Sequence, residues 1–198
     1  MTPKPIVIYH RGCWDGFTSA WVWRKFRGEE ADFVGAIYGE DPPDVKGRDV
    51  WIVDFSYPRE TLLEKVIIPS RRTLVFDHHK TAQADLDGIL QVLRKKGVQR
   101  NQDQVHFDMT RSGAGMIYDY LQDELEKLNG RREPRPGGFR RWRLIDYVED
   151  RDLWRFQHEH TKEVMAWVAT QPFDFAAWDK LAEMCQLTPR GIPAVAAG

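Results

Sequence analysis

The chain has 198 residues, 42% hydrophobic and 30% charged, with a formal net charge of −1. That length suits one domain with a buried core, and the near-neutral balance excludes recognition of nucleic acid or membrane by bulk charge, so any polyanion has to be met locally. Two distant cysteines, Cys13 and Cys185, make no disulfide framework; with no apolar window of the ~18 residues a bilayer span needs and no signal-peptide pattern, no membrane association and a cytoplasmic location are expected.

Pro5–Tyr9 is a short β-branched run of the kind found in buried parallel strands. The turn His10-Arg-Gly-Cys-Trp-Asp15-Gly16 follows, and Phe17, Ala20, Trp21 and Arg24 at helical spacing predict a helix from Phe17 to Phe26. Ala31–Tyr38 reads as a second strand and Val50–Val53 as a third. Pro58 and Glu60 fit the first turn of a helix reaching about Val66. Arg72–Phe76 is a fourth strand, Thr81–Lys96 a helix interrupted near Gly88, and Val105–Met109 another strand. Ser112 caps an amphipathic helix to Leu128, with Ile117, Leu121, Leu125 and Leu128 on one face.

Residues 131–143 hold six arginines among prolines and glycines, read as a solvated loop in preference to a phosphate-contacting arm. Further helices are expected from Leu144, over Glu159–Ala169 and over Phe175–Cys185, with Trp167 and Trp178 as core filler. Strands alternating with helices predict an α/β fold, a mostly parallel central sheet flanked by helices with a helical C-terminal extension. The expected divisions are residues 1–155 for the α/β domain, 156–190 for the extension and 191–198 for a linker or tail.

Three of these strands run directly into potential metal ligands: Ile6–Tyr9 into His10, Cys13 and Asp15, Val50–Val53 into Asp54, and Thr73–Phe76 into Asp77, His78, His79 and Lys80. Sites in α/β sheets form beyond the carboxyl ends of the strands. Any one of these clusters fits a solvated loop, and Asp15 fits a plain helix cap; the repetition points to a shared cation site. Oxygen and imidazole donors without a thiolate cage suit Mn²⁺ or Mg²⁺ better than structural zinc. Asp54, with no second acid beside it, is the carboxylate best placed to bridge two ions, which stand about 3.5–4 Å apart in sites that activate a hydroxide for in-line attack on phosphorus. Asp146, Glu149, Asp150 and Asp152 crowd together further on, and one of them is expected to complete the site.

In order along the chain, His10 with Cys13-Trp-Asp15-Gly16-Phe17, Val53-Asp54-Phe-Ser56, Asp77-His78-His79-Lys80-Thr81-Ala82, Ser112-Gly-Ala-Gly115 and Asp150-Arg-Asp-Leu-Trp154 resemble the motifs of DHH phosphoesterases. That family includes RecJ-type exonucleases, nano-RNases, cyclic-dinucleotide phosphodiesterases and, more distantly, family II pyrophosphatases. The resemblance covers residues 5 to about 155, the N-terminal DHH domain only. It implies a two-metal phosphohydrolase running on Mn²⁺ or Mg²⁺, one ion held by His10, Cys13 and Asp54 and the other by Asp15, Asp54, His78 and Asp150. It further implies that Asp77 orients a histidine and that His79 faces the substrate phosphate or the leaving group. Lys80 and Arg11 are the basic residues expected to bind substrate.

Two departures from the family matter. Many members carry Asp where this chain has Cys13; a thiolate there favours a softer ion such as Zn²⁺ or Fe²⁺, or Mn²⁺, over Mg²⁺, the preferred reading, the plain alternative being a packed core cysteine. Nothing after Trp154 resembles the family's C-terminal substrate-binding domain, so weak substrate affinity is expected, with a separate domain or a second copy of the chain supplying the clamp. The expected activity is hydrolysis of phosphodiester or phosphomonoester bonds in short oligonucleotides or nucleotides. The alternatives are an inorganic pyrophosphatase, which needs a denser cluster of Lys and Arg, and a non-catalytic DHH domain that binds a nucleotide or a protein partner.

Overall fold

Five short strands, β1 (Ile6–His10), β2 (Asp32–Ala36), β3 (Asp49–Val53), β4 (Arg72–Asp77) and β5 (Gln104–Phe107), pair in parallel in the order β2-β1-β3-β4-β5. The structure is a computed structural model that describes residues 3–98, 102–130 and 141–187. Successive side chains leave a strand on opposite faces. Val7, Trp51, Val53, Leu74 and Phe76 therefore enter one core, and Ile6, Ile8, Val50, Ile52 and Val75 enter another. Burial on both faces is why these strands read as unbroken apolar runs.

The first core is closed by α1 (Trp14–Arg27), α5 (Gly113–Asn129), α6 (Arg143–Asp152), α7 (Thr161–Val168) and α8 (Phe175–Leu187). The second is closed by α2 (Arg59–Thr61), which continues as a π-helical segment over Leu62–Ile67, and by α3 (Lys80–Leu86) and α4 (Ile89–Lys95). The α/β class with a parallel sheet flanked by helices is what the alternation predicts. The break between α3 and α4 falls at Gly88, whose φ of +70° lies where a side chain would be strained. Ser112 caps α5, its Oγ accepting from Gly115 N at 3.1 Å. The apolar face of that helix ends sooner than its sequence implies: Ile117 and Leu121 are buried, whereas Leu128 is exposed.

The segment after residue 155 shares the core of what precedes it. Trp178 is fully buried with its ring 4.7 Å from that of Phe17, and its Nε1 donates to Thr18 Oγ1 at 2.9 Å. Trp21 Nε1 in turn donates to Asp179 Oδ1 at 2.9 Å. Trp167 is half-buried and packs against the same core. Truncating an indole as buried as Trp178 costs ~3–5 kcal/mol, so α8 holds α1 in place. Most of the arginine-rich stretch (131–140) and the tail (191–198) lie outside the described residues. Of the described helices, none is long and apolar enough to cross a membrane.

From β1 the chain moves outward to β2, then returns past β1 to β3. A parallel sheet that reverses direction in this way opens a crevice beyond the carboxyl ends of the two strands at the reversal, here β1 and β3. His10 is the last residue of β1, and Asp54 is the residue after β3.

Candidate metal centre

Asp54 stands at the middle of the site. Its backbone φ is +56°, a left-handed conformation that costs most side chains but that Asp and Asn tolerate. Its amide donates to Phe76 O at 2.8 Å, tying the turn after β3 to the end of β4. The carboxylate is buried; His78 Nε2 lies 3.0 Å from Oδ1, and His10 Nδ1 lies 3.6 Å from Oδ2. The same His78 nitrogen is 3.8 Å from Asp15 Oδ2 and 3.4 Å from Asp152 Oδ2.

Asp15 lies in the first turn of α1 but does not cap it; Cys13 holds the cap position and makes no side-chain cap bond. The Asp15 carboxylate instead receives the start of α5, with Gly113 N donating to Oδ2 at 2.6 Å and Ala114 N to Oδ1 at 3.0 Å. A helix start is a natural anion seat because its first amides have no partners within the helix. On its other side the same helix start meets Glu149, which accepts from Ser112 N at 3.1 Å and Arg111 Nε at 3.0 Å. This packing accounts for the Ser112-Gly-Ala-Gly115 motif. A Cβ at Gly113 would lie 2.6 Å from Asp54 Cβ, and one at Gly115 would lie 1.9 Å from Glu149 Oε2. Gly16 has a similar role: a Cβ there would lie 2.5 Å from His10 O, so only glycine lets α1 start against the end of β1.

Asp77 is buried and turned inward. Its Oδ1 accepts from His79 Nδ1 at 2.6 Å and from the amides of His78 at 2.7 Å and His79 at 3.1 Å, while Oδ2 accepts from Ser56 Oγ at 2.5 Å. With its Nδ1 proton given to Asp77, His79 keeps Nε2 as a lone-pair donor, an arrangement in which a carboxylate fixes the tautomer of a ligand histidine. That bond also raises the His79 pKa.

Two groups of side chains bring ligand atoms close enough to share an ion: His10, Asp54 and His79, and Asp15, Asp54 and His78. Asp54 belongs to both. Three buried polar atoms here have no hydrogen-bond partner, namely His10 Nδ1, Asp54 Oδ2 and Asp152 Oδ2. Buried groups are left unpaired at a cost of ~1–3 kcal/mol each, a cost that a pair of divalent cations, one on each side of Asp54, would remove. Burial and the charges of Asp54 and Asp152 push Asp15 well above the ordinary carboxylate range, while burial and Asp54 raise Asp152. Burial opposes the charge on Asp54 as well, yet the neighbouring imidazoles of His10 and His78 hold it below that range. Mixed imidazole and carboxylate donors crowded in this way fit a pair of hard or borderline divalent ions.

The centre brings together His10, Asp15, Asp54, His78 and His79, with Asp77 fixing His79. Cys13 lies outside both groups; its thiol neighbours the Asp54 and Asp15 carboxylates, and burial together with those charges pushes its pKa up. His79, expected to face the substrate, also brings a ring nitrogen close enough to His10 and Asp54 to share an ion with them. Lys80 opens α3 at the surface, and Arg11 is exposed in an ion pair with Glu40 at 2.5 Å.

Asp150 is a correction. Its carboxylate accepts from Gln157 N at 2.8 Å, from His158 N at 3.1 Å and from the Thr161 hydroxyl, so it ties α6 to the turn before α7 and faces away from His78. Asp152 faces His78 instead. Two positions along a helix are roughly 200° apart, so these two acids cannot share a direction. Helical spacing separates the two acids: Asp152 follows Leu144 and Val148 at four-residue steps, whereas Asp150, the more buried of the two, lies on another side of the helix. Asp150→Asn is expected to lower stability by ~1–3 kcal/mol and leave metal uptake intact, whereas Asp152→Asn is expected to do the reverse. Thermal melts with and without Mn²⁺ separate the two.

No protein-family model matches the chain, and no solved structure matches it. A curated relative, an uncharacterized protein (R106) of Acanthamoeba polyphaga mimivirus, is 28% identical over 194 residues, an alignment that covers 90% of this chain and 40% of the relative. The chain thus spans about two fifths of the length of the curated relative to which it is similar.

Proposed function

We propose that the chain is a metal-dependent phosphohydrolase of the DHH kind, cleaving phosphodiester or phosphomonoester bonds in short oligonucleotides or nucleotides. The observation that carries this reading is the sharing of Asp54 between two donor groups, with unpaired buried ligand atoms on both sides of it. Two ions, Mn²⁺ by preference, would be held by His10, Asp54 and His79 and by Asp15, Asp54, His78 and Asp152. Such a pair neutralises phosphoryl oxygens and acidifies an attacking water.

The protein's own contribution is rigidity and access. Both oxygens of Asp15 are held by α5 amides, and His79 is held by Asp77, so neither swings when charge builds up on a bound phosphate. Preorganised groups of this kind need no reorganisation during the reaction. His79 is the most open side chain of the centre, followed by His10 and Asp152, so the side of His79 and His10 would be the entry for substrate. Lys80 and Arg11 flank that side and would meet the remaining phosphate charge. Pyrophosphate hydrolysis needs more cations than this pair, and Arg11 is already paired with Glu40. A separate substrate-binding domain or a second copy of the chain would supply further contacts.

The test is a screen of purified protein with Mn²⁺ against dinucleotides, cyclic dinucleotides, bisphosphorylated adenosine and pyrophosphate, alongside metal analysis. The expected result is up to two Mn²⁺ per chain and nucleotide hydrolysis that both a chelator and His78→Ala abolish. Failure to take up metal, or turnover indifferent to His78→Ala, overturns the reading.

A further inference from the structure

Beside the metal centre, the turn between α6 and α7 holds a large aromatic side chain out in solvent. Trp154 is 69% exposed, although Asp152, two residues before it, faces His78. Its backbone φ is +56°, that of Phe156 is +50° and that of His160 is +68°. Bulky residues seldom adopt this conformation, and where they do the surrounding structure must enforce it. Here Asp150 is the enforcing group: its backbone carbonyl accepts from Arg155 N at 2.9 Å, and its carboxylate accepts from Gln157 N and His158 N.

What the turn presents is an ordered stack. The Arg151 guanidinium lies 4.8 Å from the Trp154 ring centroid and 5.6 Å from that of Trp14, so it sits against both indoles. Trp14 is flanked in sequence by Cys13 and Asp15, which places this end of the stack at the centre itself. Phe156 meets Trp154 at 5.1 Å and an interplanar angle of 77°, and Lys162 Nζ lies 5.3 Å from the Phe156 ring. The charge of Arg151 also acts on the Asp152 carboxylate, which links the stack to the acid that faces His78. An apolar contact made only to hide surface would bury this ring. Instead it is supported from behind by a cation and left open.

We propose that Trp154, backed by Arg151 and Trp14, is a stacking platform for one nucleobase of the substrate whose phosphate sits at the metal centre. This rests on the phosphohydrolase reading above and assigns its substrate class: an ester carrying at least one base, in preference to pyrophosphate or a base-free phosphate. Stacking on an aromatic side chain accepts any base, because every base has a π face. The platform therefore confers affinity for nucleotides without sequence preference, and Arg151 adds positive charge beside the ring.

The experiment uses the full chain with Mn²⁺, a diadenylate dinucleotide and its abasic counterpart, comparing wild type with Trp154→Ala and Trp154→Phe. Loss of one stacked base is expected to raise the dinucleotide KM of Trp154→Ala by about 5- to 150-fold with kcat largely retained. The abasic substrate should be far less affected, and Trp154→Phe should recover most of the loss. Titration with adenosine monophosphate should quench tryptophan emission in wild type and much less in Trp154→Phe, a readout that needs no turnover. Quenching without hydrolysis of any substrate would sink the hydrolase reading and leave the platform standing. Hydrolysis with a dinucleotide KM unchanged in Trp154→Ala would sink the platform alone. A Trp154→Ala chain that changes from dimer to monomer with that KM unchanged would make the ring a protein contact and likewise overturn the inference.

Discussion

Asp54→Asn is expected to abolish metal uptake and hydrolysis together while leaving the apo fold standing. Asp54 is the one side chain common to both candidate donor groups, so its loss would remove a donor from each at once. Outer partners of metal ligands typically cost 10–100-fold in affinity or activity when removed; a shared ligand is expected to exceed about 100-fold in both. Asn is the informative substitution because it tolerates the φ of +56°, whereas Ala would add backbone strain of roughly 1–2 kcal/mol. Two effects on the apo protein oppose each other. The variant loses the charge that faces His10 and His78, and it relieves the repulsion that raises Asp15 and Asp152. The apo melting temperature is therefore expected to move little, while the rise that Mn²⁺ produces in wild type by binding the folded state disappears. Differential scanning fluorimetry and metal analysis check this. Mn²⁺ uptake and turnover within about tenfold of wild type would rule out the shared-ligand role.

Gly113→Ala is expected to destabilise the protein and to weaken metal binding, the opposite of what helix propensity alone dictates. At an ordinary helical position, replacing Gly with Ala stabilises by about 0.5–1 kcal/mol. At Gly113 the added methyl would lie 2.6 Å from Asp54 Cβ, 2.9 Å from Asp54 Cα and 3.1 Å from Asp15 Oδ2. Two of those three are the Cα and Cβ at the root of a buried residue, so the start of α5 has to back away. Overpacking of this sort costs ~1–3 kcal/mol. Retreat of α5 also lengthens the bonds from Gly113 and Ala114 amides to Asp15, freeing a carboxylate that the centre needs fixed. A loss of about 10–100-fold in Mn²⁺ affinity follows, the range for outer partners of a metal ligand. Denaturant midpoints and a Mn²⁺ titration measure the two effects. Stabilisation with unchanged affinity would show that α5 does not need its close approach.

Some of this centre was legible residue by residue. The candidate ligands His10, Asp54 and His78 stand at or just after strand ends, and their convergence follows from the strands being parallel neighbours in one sheet. The bond between Asp77 and His79 is within reach of the sequence, since the two are near neighbours along the chain. The resemblance points to Asp150, whereas the acid that faces His78 is Asp152, and the 100° step of a helix separates the two. The partners of Asp15 were out of reach, because the amides that hold it lie 98 and 99 positions away.

The amino-acid order by itself determined the alternation of strands and helices, the break at Gly88, the cap at Ser112 and the collection of acids and imidazoles at strand ends. All of these depend on neighbours along the chain, where spacing and local conformational preference are sufficient. Only the tertiary structure decided that Asp15 faces the start of α5, that Asp54 is reached from two sides, that His79 comes close to His10 and Asp54, and that Trp154 stays in solvent. Those outcomes depend on how closely α1, α5 and α6 pack against one another, and that distance is set by side chains far apart in sequence.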